Sequence, residues 1–471
     1  MPSGILSYQE AVAYLSGLSP FGIKLGLDTI RALCESFGYP QKSFPSVLVA
    51  GTNGKGSVCA YLGAILQHAG YKTGIYTSPH LVDVRERIRI GDQLIPEDRF
   101  AYFMNEMLRT AEDLFNRKKL DQFPTYFEFI TAIAFLWFRE EKIDIGVMEI
   151  GLGGRFDAVN IIEPVLSVIT EIDYDHQKHL GRTLTSIAGE KAGIMRNGRP
   201  VILCVGKNKP GAVLKAIASE KKAVVFDALK DIKIAVREIP SGSAETNSGL
   251  LINPVRKRIE DQIDSIDISS PKNEYKGLIP ALTGRHQFGN IAAAVYASEK
   301  LKDAGFNIDT RDVIFGVENA HWEGRLEWVD WKIPLLLDGG HNPSGLRSLT
   351  GYIKTKLASK RFNLIFACKT SKDYKKMCEV LFPHAHRIYL PKIEGYQFVE
   401  PALLCETASK LNRESLITDS LDEALKLIKE VIIADSLGKA FTKTLTEKDT
   451  DFILVAGSLH LIGEVINYLN N

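Results

Sequence analysis

The sequence predicts an α/β protein, with a mostly parallel sheet domain of the P-loop ATPase type followed by a smaller Rossmann-like α/β domain. Three observations carry this. Val47 to Ser57, VLVAGTNGKGS, sets an apolar run against a glycine-rich turn with Lys55, and Val58 to Ala69 repeats its apolar residues at helical spacing. Short apolar runs then alternate with helical patterns on both sides of a break at HWEGRLEW. At 471 residues the chain exceeds one ordinary core, so we expect domains at 1–318 and 326–471 joined by residues 319–325.

A strand, a tight glycine turn and a helix point several backbone N–H groups at one place, where a di- or triphosphate replaces their water. The turn departs from the usual phosphate-loop pattern. Thr52 and Asn53 alone separate Gly51 from Gly54, and Gly56 stands between Lys55 and Ser57. The Ser57 hydroxyl is one place late for a magnesium ligand, so a further ligand is expected elsewhere. A turn that merely needs glycines is the plainer alternative.

The elements follow in order. After the first helix come a strand Thr73–Tyr76, an Arg- and His-rich stretch TSPHLVDVRERIRI, and helices at Asp98–Arg117 and Tyr126–Glu140. Strands are expected at Ile143–Ile150, Val165–Ile169 and Val201–Val205, with a helix near Thr185–Ile194. From Lys230 to Gly277 the pattern weakens into a peripheral hairpin region. A helix ending at Gly305 and another reaching Asn319 precede the junction. Beyond it, strands at Pro334–Leu337, Asn363–Cys368, Arg387–Leu390 and Phe452–Ala456 alternate with helices from Ser344 and Ser371, from Leu421, and after Ala456.

Lys and Arg total 58 against 57 Asp and Glu, a net charge of +1, which lacks the basic footprint of a nucleic-acid binder. No stretch of about eighteen uncharged apolar residues occurs, and the first residues lack a signal pattern, so a soluble, cytoplasmic protein with no membrane partner is expected. The six cysteines show no CxxC spacing and read as reduced core thiols.

Two further strands end in chemistry. Glu149 closes an apolar run and leads into Gly151, Gly153, Gly154, Arg155, Asp157 and Asn160; a carboxylate there suits a nucleotide-bound magnesium, though a charge leaving a core strand is the bland alternative. After Val165–Ile169 come Glu171, Asp173, Asp175 and His176, of which the last two are candidate second metal ligands. Lys191, in GEKAGIM, would ordinarily be a solvated charge.

Taken together, GTNGKGS at Gly51, YTSPHL at Tyr76, RERIRI at Arg85, TYFEF at Thr125, MEIGLGGRFDAVN at Met148, DYDHQKHLG at Asp173, GEKAGI at Gly189, HQFGNIAAA at His286, EGRLE at Glu323, LLDGGHNP at Leu336 and AGSLHLIGEV at Ala456 resemble, in order, the motifs of the folylpolyglutamate synthase and dihydrofolate synthase family of Mur-type ATP-dependent ligases. The likeness runs from Leu25 to Val465, with Gly340 where alanine is usual and a poor match over Lys230 to Gly277.

The resemblance implies that Thr52, Asn53, Gly54, Lys55, Gly56 and Ser57 hold the ATP phosphates, that Asn290 contacts the base, and that Arg325 and Asp338 complete the ATP site. It implies two Mg2+ ions, the first on Ser78 and Glu149 and the second on Glu149 and His176, with a carbamate formed on Lys191 from CO2 as an anionic donor. Thr125, Phe127, Asp157 and Ala158 match the pterin pocket, and His341 and Ser458 the glutamate side, with Lys55, Glu149, His176, Lys191 and His341 as the catalytic set. The implied activity is ATP-dependent attachment of L-glutamate to a folate or dihydropteroate through an acyl phosphate, by a monomer. Alternatives are the same chemistry on another acid, such as a peptidoglycan precursor, or a nucleotide-dependent switch that makes no product.

Overall fold

A computed structural model describes residues 4–18, 26–249, 251–394, 397–436 and 450–470; Leu25, where the likeness begins, lies outside the described residues. The chain forms two compact units, one of Met1–Ala235, Asp267–Lys276 and Gly289–Ala320, the other of Val236–Ile266, Gly277–Phe288 and His321–Asn471.

The first unit is built on β1 (Ser46–Ala50), β2 (Thr73–Tyr76), β3 (Ile88–Ile90), β4 (Gln93–Leu94), β5 (Ile145–Glu149), β6 (Leu166–Ile169), β7 (Pro200–Leu203) and β8 (Val224–Asp227), in one eight-stranded sheet of order β4-β3-β2-β5-β1-β6-β7-β8. From β2 to β8 every neighbouring pair is parallel, while β3 and β4 add an antiparallel edge. Every residue of β1 and β5 is buried, as expected of parallel strands covered on both faces, which is why both read as continuous apolar runs. The helices Lys55–His68 and Tyr126–Glu140 supply much of that cover through Tyr61, Leu62, Ile65, Phe129, Ile133 and Phe135.

Register places the chemistry. Val49 pairs with Glu149 on one side of β1, and Ala50 pairs with Ile169 on the other. The turn that leaves β1 is therefore flanked by the residues that leave β5 and β6, at the carboxyl edge where open parallel sheets take ligands.

β9 (Lys233–Pro240), β10 (Gln262–Ser269) and β11 (Glu274–Leu278) form a three-stranded sheet of order β11-β10-β9. The second unit carries β12 (Glu327–Val329), β13 (Leu335–Asp338), β14 (Phe362–Phe366), β15 (Arg387–Pro391), β16 (Ser415–Thr418) and β17 (Phe452–Ala456) in the order β12-β13-β17-β14-β15-β16. All pairs there are parallel except β12 with β13. Residues 236–266 and 277–288, read from sequence with the first domain, group with this unit. For the first of these segments a buried ion pair and a buried hydrogen bond make the link: Lys356 Nζ lies 2.6 Å from Asp264, and Tyr352 Oη donates to Glu260 at 2.5 Å.

All six cysteines are free thiols, and five of them are buried. Among the described residues no helix is long and apolar enough to cross a membrane.

Candidate functional site

The helix Lys55–His68 begins at Gly54 in the left-handed region, φ 88°, with no side-chain cap. Its first turn thus has no side-chain acceptor at the capping position, the kind of helix start that suits an anion, and Lys55 occupies the first helical position beside it. Gly54 is required twice over, by its backbone conformation and because a Cβ there would collide with the Asn290 side chain. Asn290, on the helix Gln287–Asp303, therefore lies directly over the loop.

Lys55 Nζ lies 3.8 Å from Glu149 Oε1 and donates to Thr52 O at 3.3 Å. Glu149 Oε2 accepts from the Ser78 amide at 3.2 Å, so Ser78, which precedes a cis proline bond to Pro79, stands beside the same carboxylate. Ser57 is buried within the first turn of the helix.

Lys191 is the last residue of the helix Leu184–Lys191 and is only 4% exposed, which overturns the solvated-lysine reading. Its Nζ donates to Gly51 O at 2.6 Å, at the root of the phosphate loop. Burial holds this amine down to about 7, with the Lys55 ammonium acting the same way and the Asp175, Asp157 and Glu149 carboxylates opposing. A buried amine close to neutral, with carboxylates around it, has the chemistry needed to add CO2. Hard oxygen donors from Glu149 and Ser78 suit magnesium. His176 is placed differently: it sits at φ 48°, its ring is 44% exposed, and Nε2 lies 3.9 Å from Asp175 Oδ1. Among the described residues no three His, Cys, Asp or Glu side chains form a ready metal cage.

Asp157 is buried and accepts from the amides of Leu152 at 2.8 Å and Val159 at 3.0 Å, capping the short helix Ala158–Ile161. Burial, aided by the Glu149 charge, still raises its carboxyl to about 7 against the pull of these amides. Ala158 is buried next to it. Thr125 caps the helix Tyr126–Glu140 in a capping box with Glu128, each bond at 2.8–3.3 Å. The half-buried Phe127 ring packs on Gly151 and edge-on to Tyr76, 6.1 Å between centroids, and a Cβ on Gly151 would meet both Phe127 at 2.6 Å and Ser78 Oγ at 3.3 Å. Phe127, Gly151 and Ser78 thus converge.

The remaining predicted residues belong to the second unit. Asp338, at the end of β13, accepts from Leu326 N at 3.2 Å and Gly340 N at 2.9 Å; burial raises its pKa while Arg325 opposes. His341 Nδ1 lies 2.9 Å from Gly339 O. Because Asp338 pairs with Ala456, Ser458 follows at the same sheet edge, where its Oγ accepts from His460 N at 3.2 Å.

Two further groups stand beside these residues and were given no role from the sequence. Arg87 donates from Nε to His80 Nδ1 at 2.8 Å and lies over the Tyr126 ring at 5.4 Å, and burial with the Arg87 charge takes His80 down to about 4. The clustering of arginines and a histidine after β2 signalled it. Thr170, fully buried against the phosphate loop, left no signal in the sequence.

The glycine loop at the centre of the parallel sheet lies beside a buried carboxylate and a buried amine, and residues 49–298 match the Mur ligase middle domain, which places the chain among the Mur-type ligases. Residues 325–468 match the dihydrofolate synthetase C-terminal domain. The chain is 32% identical over 465 residues to the dihydrofolate synthase/folylpolyglutamate synthase of Bacillus subtilis (strain 168), covering 98% of each, and 30% identical over 470 residues to the folylpolyglutamate synthase of Lacticaseibacillus casei, again with 98% of each. The structure of E. coli FolC in complex with DHPP and ADP superposes with a TM-score of 0.81 at 26% identity, covering 100% of this chain and 99% of that one. The protein belongs to the dihydrofolate synthase/folylpolyglutamate synthase family.

Proposed function

We propose that this protein joins L-glutamate to the carboxylate of a folate or a dihydropteroate, with ATP converted to ADP and phosphate. The observation that carries the reading is the uncapped start of the helix Lys55–His68 beside Glu149 and Lys191, in a chain that matches folate-ligating relatives from end to end.

A carboxylate is a poor electrophile, so the γ-phosphoryl group is first moved onto it to give an acyl phosphate. Lys55 and the loop amides offset the repulsion between carboxylate and triphosphate. Magnesium, when bound, adds positive charge at the transferring group; Ser78, Glu149, His176 and a carbamate on Lys191 are the residues that would hold it, at two sites. Asn290 contacts the base, and Arg325 and Asp338 complete the nucleotide site. Thr125, Phe127, Asp157 and Ala158 hold the pterin. His341 and Ser458 orient glutamate, whose amine attacks the acyl phosphate and expels phosphate. No enzyme nucleophile is required.

In this reading the N-terminal part binds ATP and the folate, the C-terminal part binds glutamate, and residues 319–325 link the two. The protein works as a cytoplasmic monomer, which light scattering of the purified enzyme checks. The deciding assay follows ADP release with L-glutamate and either dihydropteroate or tetrahydrofolate, with product sizing to separate first from later additions. ADP release indifferent to both glutamate and folate would instead favour a switch, and release with a muramyl acceptor alone another Mur-type substrate.

A further inference from the structure

The segment after β6 straps the phosphate loop from the side. Thr170 N donates to Ala50 O at 2.8 Å, and Thr52 N donates to Glu171 O at 2.7 Å. Asn53 Nδ2 donates to Glu171 Oε2 at 3.1 Å, while the Thr52 hydroxyl donates to Asp173 O at 3.0 Å and accepts from Asp173 N at 3.1 Å. At the centre of the strap is the Thr170 hydroxyl. It lies 2.7 Å from Asn53 O and 3.3 Å from Ala50 O, and its single proton goes to the nearer oxygen. The same hydroxyl fills the space above Gly51, where any Cβ would collide with it.

Asn53 O matters because it belongs to the peptide that leads into Gly54. A peptide flanked by a glycine at φ 88° can rotate at low steric cost, and rotation would turn this carbonyl toward the concavity where the amides gather. A carbonyl oxygen facing a phosphate is repulsive, and the amide of Gly54 would be lost as a donor. We infer that Thr170 is a positioning residue for ATP: its hydroxyl holds the Asn53 carbonyl turned away from the phosphates, so that the loop stands in its binding conformation before nucleotide arrives. This rests on the phosphate-loop reading given above.

The test compares Thr170→Val, which keeps the shape and loses the hydroxyl, with Thr170→Ser, which keeps the hydroxyl. Calorimetric ADP affinity is measured beside the KM values for ATP, L-glutamate and the folate acceptor, with Tm as the check on folding. Thr170→Val is expected to weaken ADP binding and raise the KM for ATP about tenfold, the scale of one lost buried hydrogen bond. The KM values for glutamate and acceptor stay unchanged, and Thr170→Ser returns ADP affinity to within about twofold of the parent. Wild-type ADP affinity in Thr170→Val overturns the inference, and so does equal weakening in both variants, because Thr170→Ser keeps the hydroxyl to which the effect is ascribed. Should Thr170→Val fail to fold, Thr170→Ser against Thr170→Ala isolates the same hydroxyl, and equal ADP affinity in that pair overturns the inference. An unsubstituted enzyme that binds no ADP removes the phosphate-loop reading and the inference with it.

Discussion

Two helices in this chain start at similar places, just beyond the carboxyl end of a strand in a largely parallel sheet, β1 for one and β13 for the other, and they begin in opposite ways. The helix Lys55–His68 starts at a left-handed glycine with no side-chain cap. The helix Pro343–Lys356 starts at Asn342, whose side chain accepts from Gly345 N at 2.8 Å, with proline in its first turn. The neighbouring groups differ likewise. Beside the first helix, Lys55, Lys191 and Glu149 gather as buried or half-buried charges; beside the second, Asp338 is already satisfied by two backbone amides. A helix start becomes an anion site where its own cap is withheld, and sheet topology alone does not decide which of two edges does so.

The sharpest way to break this comparison is to remove the charge at the uncapped start. Lys55→Ala should lower kcat by about 10²–10³-fold in the ADP-release assay with Tm nearly unchanged. A variant retaining parental turnover would separate the loop from the chemistry. Lys191→Ala should cost about a hundredfold while keeping the fold, since it removes only a buried amine at the loop. Intact-protein mass spectrometry under added bicarbonate should find one carboxyl adduct in the parent and none in the variant, and turnover at the parental rate would end the carbamate proposal.

Asp157 gives a test by pH. Its folded pKa, about 7, lies above the ordinary carboxylate value, so between roughly pH 4 and pH 7 the folded protein binds more protons than the unfolded chain. The stability it contributes is full at the acid end and is lost as pH rises through about 7. Tm should therefore fall more steeply across that window in the parent than in Asp157→Asn; identical slopes would mean that the Leu152 and Val159 amides keep Asp157 ionised.

The smaller effects sharpen the contrast between capped and uncapped ends. Thr125→Ala breaks a capping box and should cost about 1 kcal/mol of stability, read by denaturant unfolding. A raised KM for the folate with unchanged stability would instead mean that the hydroxyl serves the substrate. Gly340→Ala should have the least consequence: its Cβ would stand 2.7 Å from Asp338 Oδ1, so a modest rise in the KM for ATP is expected from a displaced carboxylate.

Much of the fold was legible because its strong elements are periodic and bounded by clear signals. Thr73–Tyr76, Tyr126–Glu140 and Phe452–Ala456 are found at the residues expected from apolar runs and caps. The short antiparallel edge strands β3, β4 and β12 were not, since two or three residues carry no usable period. The helix Pro401–Lys410 was also passed over, although Pro401 stands in its first turn. Between 233 and 278 the eight-residue strand β9 alternates between exposed and half-buried positions, which blunts the apolar contrast. At the site, Glu149 and the glycine loop announced themselves by following apolar strands. The burial of Lys191 did not, because it depends on a helix end packed beneath a loop 140 residues earlier in the sequence. Thr170 escaped for a related reason: its role is set by the register of β6 against β1, which no local pattern encodes.

The account stands most directly on a crystal structure with a non-hydrolysable ATP analogue and magnesium. The phosphates should lie within hydrogen-bond distance of the amides of Gly54 to Ser57 and of Lys55 Nζ, with the metal on Glu149 and the Pro343–Lys356 helix start making no equivalent phosphate contact. Phosphates seated away from the Gly54 turn, with Lys55 still paired to Glu149, would contradict it.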